Sequence, residues 1–137
     1  MDVIRRDTDY ALRAMAMLAQ LESGKAVSTK QISTEQQIPS ALAAKLMQKL
    51  QAAGLVKSKM GPKGGFSLSK HPQKISIADV VLAIQGPVSI NKCLTGSFQC
   101  PINAKCPLHK KLGKLQSQMD QYLTETTLAD VAAPEDN

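Results

Sequence analysis

STKQISTEQQIPSALAAKLMQKLQAAGLVKSKMGPKGGFSLSK, residues 28–70, decides the fold of this chain. Ser28 and Gln31 precede Ile32 with the spacing of a capping box, in which each side chain satisfies the other residue's backbone N–H. They predict a short helix through about Gln36. Pro39 disfavours helical backbone at Ile38, and Ser40 suits the cap of the next helix, which is expected to run to about Ala53. Leu42, Leu46, Leu50 and Ala53 are its expected buried stripe. Ser40, Ala41, Ala44, Lys45, Gln48 and Lys49 make a small, polar, basic face. Gly54 closes the helix. Leu55–Met60 and Phe66–Lys70 then alternate like a half-exposed hairpin around the basic tip Gly61-Pro62-Lys63-Gly64-Gly65. Helix, tight break, helix with a small basic face, then basic hairpin is the order of a winged helix-turn-helix. In that arrangement Ala41 and Ala44 let the helix approach base edges or thymine methyls, and the wing tip touches phosphate or minor groove.

Working outward, Thr8 is expected to cap a first helix, with Asp9 favourable in its first turn. Leu12, Met15, Ala16 and Ala19 recur at helical spacing, widened by Ala11, Ala14, Leu18 and Leu21, until Ser23-Gly24 ends the run. His71-Pro72 reads as a loop with a solvated histidine. Ser76 and Asp79 cap a fourth helix that turns Ile77, Val80, Val81 and Ile84 inward and stops at Gly86-Pro87. Leu108, Leu112, Leu115, Met119 and Tyr122 follow the a/d spacing of a helix of about five turns that wants another helix on its seam. Small DNA readers pair to match paired half-sites, so this helix is assigned to dimerisation. Leu128 and Val131 dock a short last segment. The expected architecture is mainly α with a small β-hairpin wing: a winged helix-turn-helix plus a long C-terminal dimerisation helix. Residues 1–87 are the DNA-binding domain, 88–107 a cysteine loop, 108–131 the dimerisation helix and docking segment, and 132–137 a flexible tail.

Charge separates the chain into two parts. Residues 1–91 carry 12 basic against 6 acidic side chains, whereas residues 92–137 carry 5 of each. No acid occurs between Glu35 and Asp79, a span that holds Lys45, Lys49, Lys57, Lys59, Lys63, Lys70 and Lys74. One sign of charge over some forty residues is the electrostatic footprint of a polyanion binder. Ser28, Lys59, Lys63 and Gly64 join the basic helix face as candidate DNA contacts. The first residues include Asp2, Arg5, Arg6 and Asp7 and hold no apolar run of signal or membrane-spanning length, so a cytoplasmic location is expected. Neither a nucleophile–base constellation nor a phosphate-cradling glycine loop is present, which argues against an enzyme.

CLTGSFQCPINAKCPLH, residues 93–109, contains all three cysteines and places His109 just after the last of them. Thiolate is a soft ligand for zinc, copper(I) or iron–sulfur clusters, and imidazole serves as a fourth. The gaps of six and five residues are wider than the close pairs of a structural zinc site. Pro101 and Pro107 each follow a cysteine, as proline does in some cluster loops, and Gly96 suits backbone wrapped around a bound group. Buried cysteines can be inert small hydrophobes, but this loop is polar. An odd count without a secretory signal disfavours disulfides. An iron–sulfur cluster is the preferred occupant, ahead of zinc.

The chain resembles the Rrf-type family of bacterial iron–sulfur winged-helix transcription regulators, including its IscR-like and NsrR-like members. The resemblance rests on TDYALRAM at Thr8–Met15, AGLVKSKMGPKGGFSL at Ala53–Leu68, ISIADVVLAIQGP at Ile75–Pro87, the three cysteines, and TLADV at Thr127–Val131. It covers nearly the whole length, and the motifs are specific together, though each alone is weak. It implies a homodimer crossed by long helices, with a cluster near the DNA-binding heads. Cys93, Cys100 and Cys106 are the implied ligands, with His109 at the position of the histidine of IscR-like 2Fe–2S sites. Asp9 matches the aspartate that NsrR-like proteins supply from the partner subunit to a 4Fe–4S cluster, with Arg13 one turn along. The first cysteine gap is slightly longer than in either group. Met60 stands where the family commonly has an arginine before Gly61, leaving any minor-groove contact to Lys59 or Lys63.

The resulting expectation is a cluster-dependent regulator, a repressor of a double-stranded DNA operator, sensing nitric oxide, redox or iron–sulfur status. A 2Fe–2S cluster is favoured over 4Fe–4S. A zinc-stabilised winged helix without sensing accounts for the DNA face and the thiols. An iron–sulfur cluster carrier accounts for the thiols but not for the acid-free basic run.

Overall fold

A computed structural model of the chain describes residues 2–96, 100–102 and 105–134. With no Trp and only two Phe, the core of the head is aliphatic and methionine-rich. Helix α1 (Arg6–Ala19) supplies Ala11, Ala14, Met15 and Leu18. Helix α2 (Thr29–Gln36) adds Ile32, and α3 (Ser40–Ala52) adds Ala43, Leu46, Met47 and Leu50. Ile75 and helix α4 (Ile77–Ile84), through Val80 and Ile84, close it from the other side. Each large aliphatic side chain taken wholly from water stabilises the head by roughly 1.5–3 kcal/mol before the cost of ordering it.

Helix α1 begins earlier than its sequence suggests. Arg5 is the N-cap residue, while Thr8 lies inside the helix, fully buried, its Oγ1 without a hydrogen-bond partner. Tertiary contacts move the start. The Arg5 N–H donates to Gln85 Oε1 at 2.9 Å and Gln85 Nε2 donates to the Val3 carbonyl at 3.0 Å. The arm before α1 is thereby tied to the end of α4. The helix also ends at Ala19, ahead of Ser23-Gly24.

The capping box at Ser28 and Gln31 forms as expected. Gln37 then turns left-handed at φ 54°, the one non-glycine residue with positive φ among the described residues. Ser33 closes the turn: its hydroxyl donates to the Ile38 carbonyl, and its own carbonyl accepts from the Ile38 N–H. Pro39, rather than Ser40, is the N-cap residue of α3, and it makes no side-chain cap bond. Ser40 is the first helical residue, its hydroxyl 3.3 Å from that of Ser33. The buried stripe of α3 is rotated from the expected one. Ala43 and Met47 join Leu46 and Leu50, Leu42 is half-buried at the core edge, and Ala53 is exposed beyond the helix end. A small residue at 43 lets neighbouring helices come close, which counting large side chains alone overlooks.

The wing pairs strand β1 (Val56–Lys59) with β2 (Gly65–Leu68) in antiparallel register, Val56 opposite Leu68 and Lys59 opposite Gly65. Val27 extends the sheet by a two-bond bridge to Phe66. The tip is a tight turn in which the Gly64 N–H donates to the Gly61 carbonyl at 2.9 Å, with Pro62 and Lys63 at its corners. Gly65 cannot be replaced without displacement: its φ is 139°, and a Cβ there would lie 2.1 Å from the Val27 carbonyl oxygen.

Helix α5 (Pro107–Glu125) spans 19 residues, about 28 Å at the usual rise, and none of them is buried. Of the seam read from the sequence, Leu108, Leu115 and Tyr122 are 59%, 52% and 68% exposed, whereas Leu112 and Met119 are half-buried. The chain then returns to the head. The Ile77 N–H donates to the Thr126 carbonyl and the Leu128 N–H to the Ile75 carbonyl, both at 2.9 Å. Helix α6 (Leu128–Ala132), capped by Thr127 and Asp130, buries Leu128 completely but leaves Val131 45% exposed, so only Leu128 docks. Of the expected tail, Glu135, Asp136 and Asn137 lie outside the described residues.

Gly65→Ala is expected to destabilise the head by more than about 1 kcal/mol, because the native φ is incompatible with a side chain. A urea midpoint that falls at constant m, with loss of amide protection at Val27 and Phe66, is the expected result; an unchanged midpoint would show that the wing does not need this close approach.

Candidate nucleic-acid interface and metal centre

Helix α3 adjoins the wing through β1, and both carry exposed basic residues. Ser40, Ala41, Lys45, Gln48 and Lys49 are exposed on α3, and Ala44 is half-buried among them. Their exposure follows from the core stripe, which occupies the opposite side of the helix. At the wing, Lys59 and Lys63 are exposed and Gly64 is partly covered. A Cβ on Gly64 would meet the Lys59 carbonyl at 2.1 Å, so this glycine shapes the tip that displays Lys63. Ser28 is half-buried at the start of α2, with its hydroxyl engaged in the capping box. The expected DNA contacts thus share two neighbouring elements and one end of a third. Met60 is 93% exposed at the wing tip beside Lys59. Lys25, Lys57 and Lys70 also line a cleft of about 780 Å³ beside the wing with Glu22, adding to the positive surface. Lys57 and Lys70 stand in the acid-free run, but that run alone does not say which lysines share a face.

The cysteine loop places its donors differently. Cys93 lies in a single 3-10 turn, Lys92–Leu94, and Cys106 is the N-cap residue of α5. His109 is in the first turn of that helix. All three thiols are free and half-buried. Asn91 Nδ2 donates to Cys93 Sγ at 3.6 Å. Among the described residues no three His, Cys, Asp or Glu side chains converge closely enough to hold a metal. The donor chemistry nevertheless fits a soft metal centre. Three uncombined thiols stand with an imidazole whose Nδ1 is buried without a hydrogen-bond partner, a nitrogen that burial disfavours unless something binds it. Sequence reasoning missed the Asn91 donor, a local contact made across two residues where Asn91 caps the Lys92–Leu94 turn.

Asp9 sits on the exposed side of α1 in an ion pair with Arg13, Nε to Oδ2 at 3.6 Å. That separation is too long for a hydrogen bond, and Arg13 Nε has none. Arg13 and Arg6 lie over the Tyr10 ring at 4.6 and 5.5 Å. Arg6 Nε donates to the Tyr10 hydroxyl at 2.9 Å, and this bond raises the Arg6 pKa above its ordinary value.

Residues 4–134 match the Rrf2 family model, described as an iron-dependent transcriptional regulator. The chain belongs to the Rrf2 family. It is similar to the transcriptional repressor NsrR of Streptomyces coelicolor, at 30% identity over 93% of this chain and 86% of that one. Similarity to the regulator IscR of Vibrio cholerae is 33% identity, covering 89% of this chain and 70% of the relative. Among solved structures, CymR, the global cysteine regulator of B. subtilis, superposes with a TM-score of 0.81 at 29% identity, covering 99% of this chain and 100% of that one. As an Rrf2 protein the chain is a winged-helix, DNA-binding transcriptional regulator rather than an enzyme. No helix among the described residues is long and apolar enough to cross a membrane.

Lys45→Ala and Lys63→Ala are each expected to weaken binding to a duplex selected in vitro by this protein. Each should also lower the slope of log affinity against log salt by about 0.9 per lost phosphate contact. Anisotropy titrations from low to moderate salt measure it, and slopes equal to wild type for both would place the DNA face elsewhere.

Proposed function

We propose that this Rrf2 protein is a cytoplasmic homodimeric repressor whose operator affinity is set by an iron–sulfur cluster reporting nitric oxide, redox or iron–sulfur status. The supporting observation is the placement of the donors. Cys106 and His109 start a long helix none of whose residues is fully buried in its own chain, and His109 Nδ1 is without a hydrogen-bond partner. Cys93, Cys100, Cys106 and His109 would hold a 2Fe–2S cluster. Asp9 of the partner subunit, in place of His109, would complete a 4Fe–4S site. A bound cluster supplies an oxidisable, nitrosylatable centre whose loss frees the thiolates.

The chain's own residues carry the change to DNA. Closure of the loop draws Cys93 and Cys100 toward Cys106, the N-cap residue of α5, and so fixes where that helix starts. Leu108, Leu115 and Tyr122 pack against the same seam of a second copy, which removes their exposed apolar surface from water. The far end of α5 is held on the head by the Ile75–Leu128 and Ile77–Thr126 hydrogen bonds. A shift at the start of α5 therefore alters the spacing of the two α3 helices, and with it the match to paired half-sites.

Iron and sulfide analysis with optical and Mössbauer spectra of anaerobically purified protein tests the centre. A 2Fe–2S signature altered by His109→Ala and untouched by Asp9→Ala is expected. A 4Fe–4S signature sensitive to Asp9→Ala transfers the fourth ligand to the partner, and colourless protein with stoichiometric zinc removes the sensing role.

Coupling is tested separately with Cys93→Ala. It should leave the dimer intact by sedimentation yet change operator affinity at fixed salt; identical footprints from holo-protein and variant would break the link between loop and DNA.

A further inference from the structure

The segment leading into Cys93 is fastened along α5 by one side chain. The Ile90 N–H donates to Gln116 Oε1 at 2.9 Å, and Gln116 Nε2 donates to the Val88 carbonyl at 2.8 Å. Nε2 also donates to Asp120 Oδ1 at 2.8 Å. These partners fix the orientation of the amide. A flip would face the Ile90 N–H with another donor, and the Val88 carbonyl and Asp120 carboxylate with another acceptor. Toward the start of α5, Gly113 faces Leu94, since a Cβ there would stand 3.9 Å from Leu94 Cδ2. One turn earlier comes His109 with its buried, unpartnered Nδ1.

His109, Gly113, Gln116 and Asp120 fall three or four residues apart, so they form one longitudinal stripe of α5. It is distinct from the exposed seam of Leu108, Leu115 and Tyr122. The arm runs antiparallel to the helix along this stripe, with Val88 and Ile90 at Gln116 and Leu94 at Gly113, heading toward His109. Cys93 lies on this docked arm, its sulfur accepting from Asn91.

We propose that the metal site is half-built before any metal binds, and that Gln116 is the positioning residue that sets the register of Cys93 against His109. Cys93 and His109 form the docked side. Ordering the arm in advance removes that entropy cost from the binding step. It also ties the arm to α5 itself, so that the two move as one piece. What the site takes rests on the cluster reading above; the docking of the arm does not.

Gln116→Leu removes both hydrogen bonds to the arm, whereas Gln116→Glu, made together with Asp120→Asn so that no second carboxylate faces it, keeps the acceptor for Ile90 and loses the donor to Val88. In reduced, metal-free full-length protein, amide exchange at Ile90 should accelerate on the order of tenfold in the leucine variant and by less in the glutamate variant. Cys93 should be alkylated faster relative to Cys100, while the amides of Val80 and Leu128 keep their wild-type protection. After reconstitution with ferrous iron and sulfide, visible absorbance should decay faster in the leucine variant, with the glutamate variant between it and wild type. Equal Ile90 exchange and equal Cys93 alkylation in wild type and Gln116→Leu overturn the proposal. If the leucine variant loosens the core amides, the same two measurements on the glutamate variant decide. Wild-type protein that takes up no iron overturns the cluster reading instead, and leaves exchange and alkylation to judge the docking.

Discussion

Leu128 holds the two ends of this molecule in one frame. Its side chain is wholly buried in the head and its N–H closes on the Ile75 carbonyl, immediately before α4 begins. Without that return, α5, which has no fully buried residue, would be held to the head only by its packing against α4 and by the loop before it. With it, both ends of the helix connect to the winged head, and a displacement at one end must be absorbed by the other. The twin capping boxes at Ser76–Asp79 and Thr127–Asp130 lie on either side of this junction, joined by the Ser76–Thr127 bridge. Local capping and long-range pairing therefore meet at one point, which is what gives a small head a rigid lever.

The head achieves its shape with small residues. Ala11, Ala14 and Ala43 are almost fully buried where helices cross, and Met15 and Met47 fill the irregular gaps left by a core without Trp. Burying that side of α3 leaves its short and basic side chains outward, so the packing arrangement and the exposed basic face are the same fact seen from opposite sides. The wing follows the same economy. Gly65 lets β2 approach Val27, and Gly64 lets the tip turn back on Lys59, so that Lys63 is displayed at the end of a short, tight hairpin.

Membership of the Rrf2 family accounts for the winged head and for regulation of transcription, and the cysteine loop adds a chemistry of its own. Three half-buried thiols are not yet a site, and their side chains do not converge among the described residues. The stripe His109–Gly113–Gln116 gives the arm a surface to dock on, and it lies beside the exposed seam residues on the same helix. A single helix thus carries the arm on one strip and the exposed Leu108, Leu115 and Tyr122 on the next.

The local signals were legible in the sequence because each depends on residues close together. The capping boxes at Ser28, Ser76 and Thr127, the hairpin around Gly61–Gly65 and the long helix after the cysteine loop are set by neighbours within a turn or two. What failed was local inference against long-range packing. Thr8 reads as a cap but is buried inside α1, because Arg5 and Val3 are tied to Gln85 across the head. Ser40 yields the cap position to Pro39, and the stripe of α3 turns toward Ala43 and Met47, where the helix meets its neighbours. Gln116 against Val88 and Ile90 carries no sequence pattern at all. A polar side chain acquires such a partner only when the chain folds back, so composition and periodicity determined the elements and their chemistry, while tertiary structure decided which donors and acceptors meet.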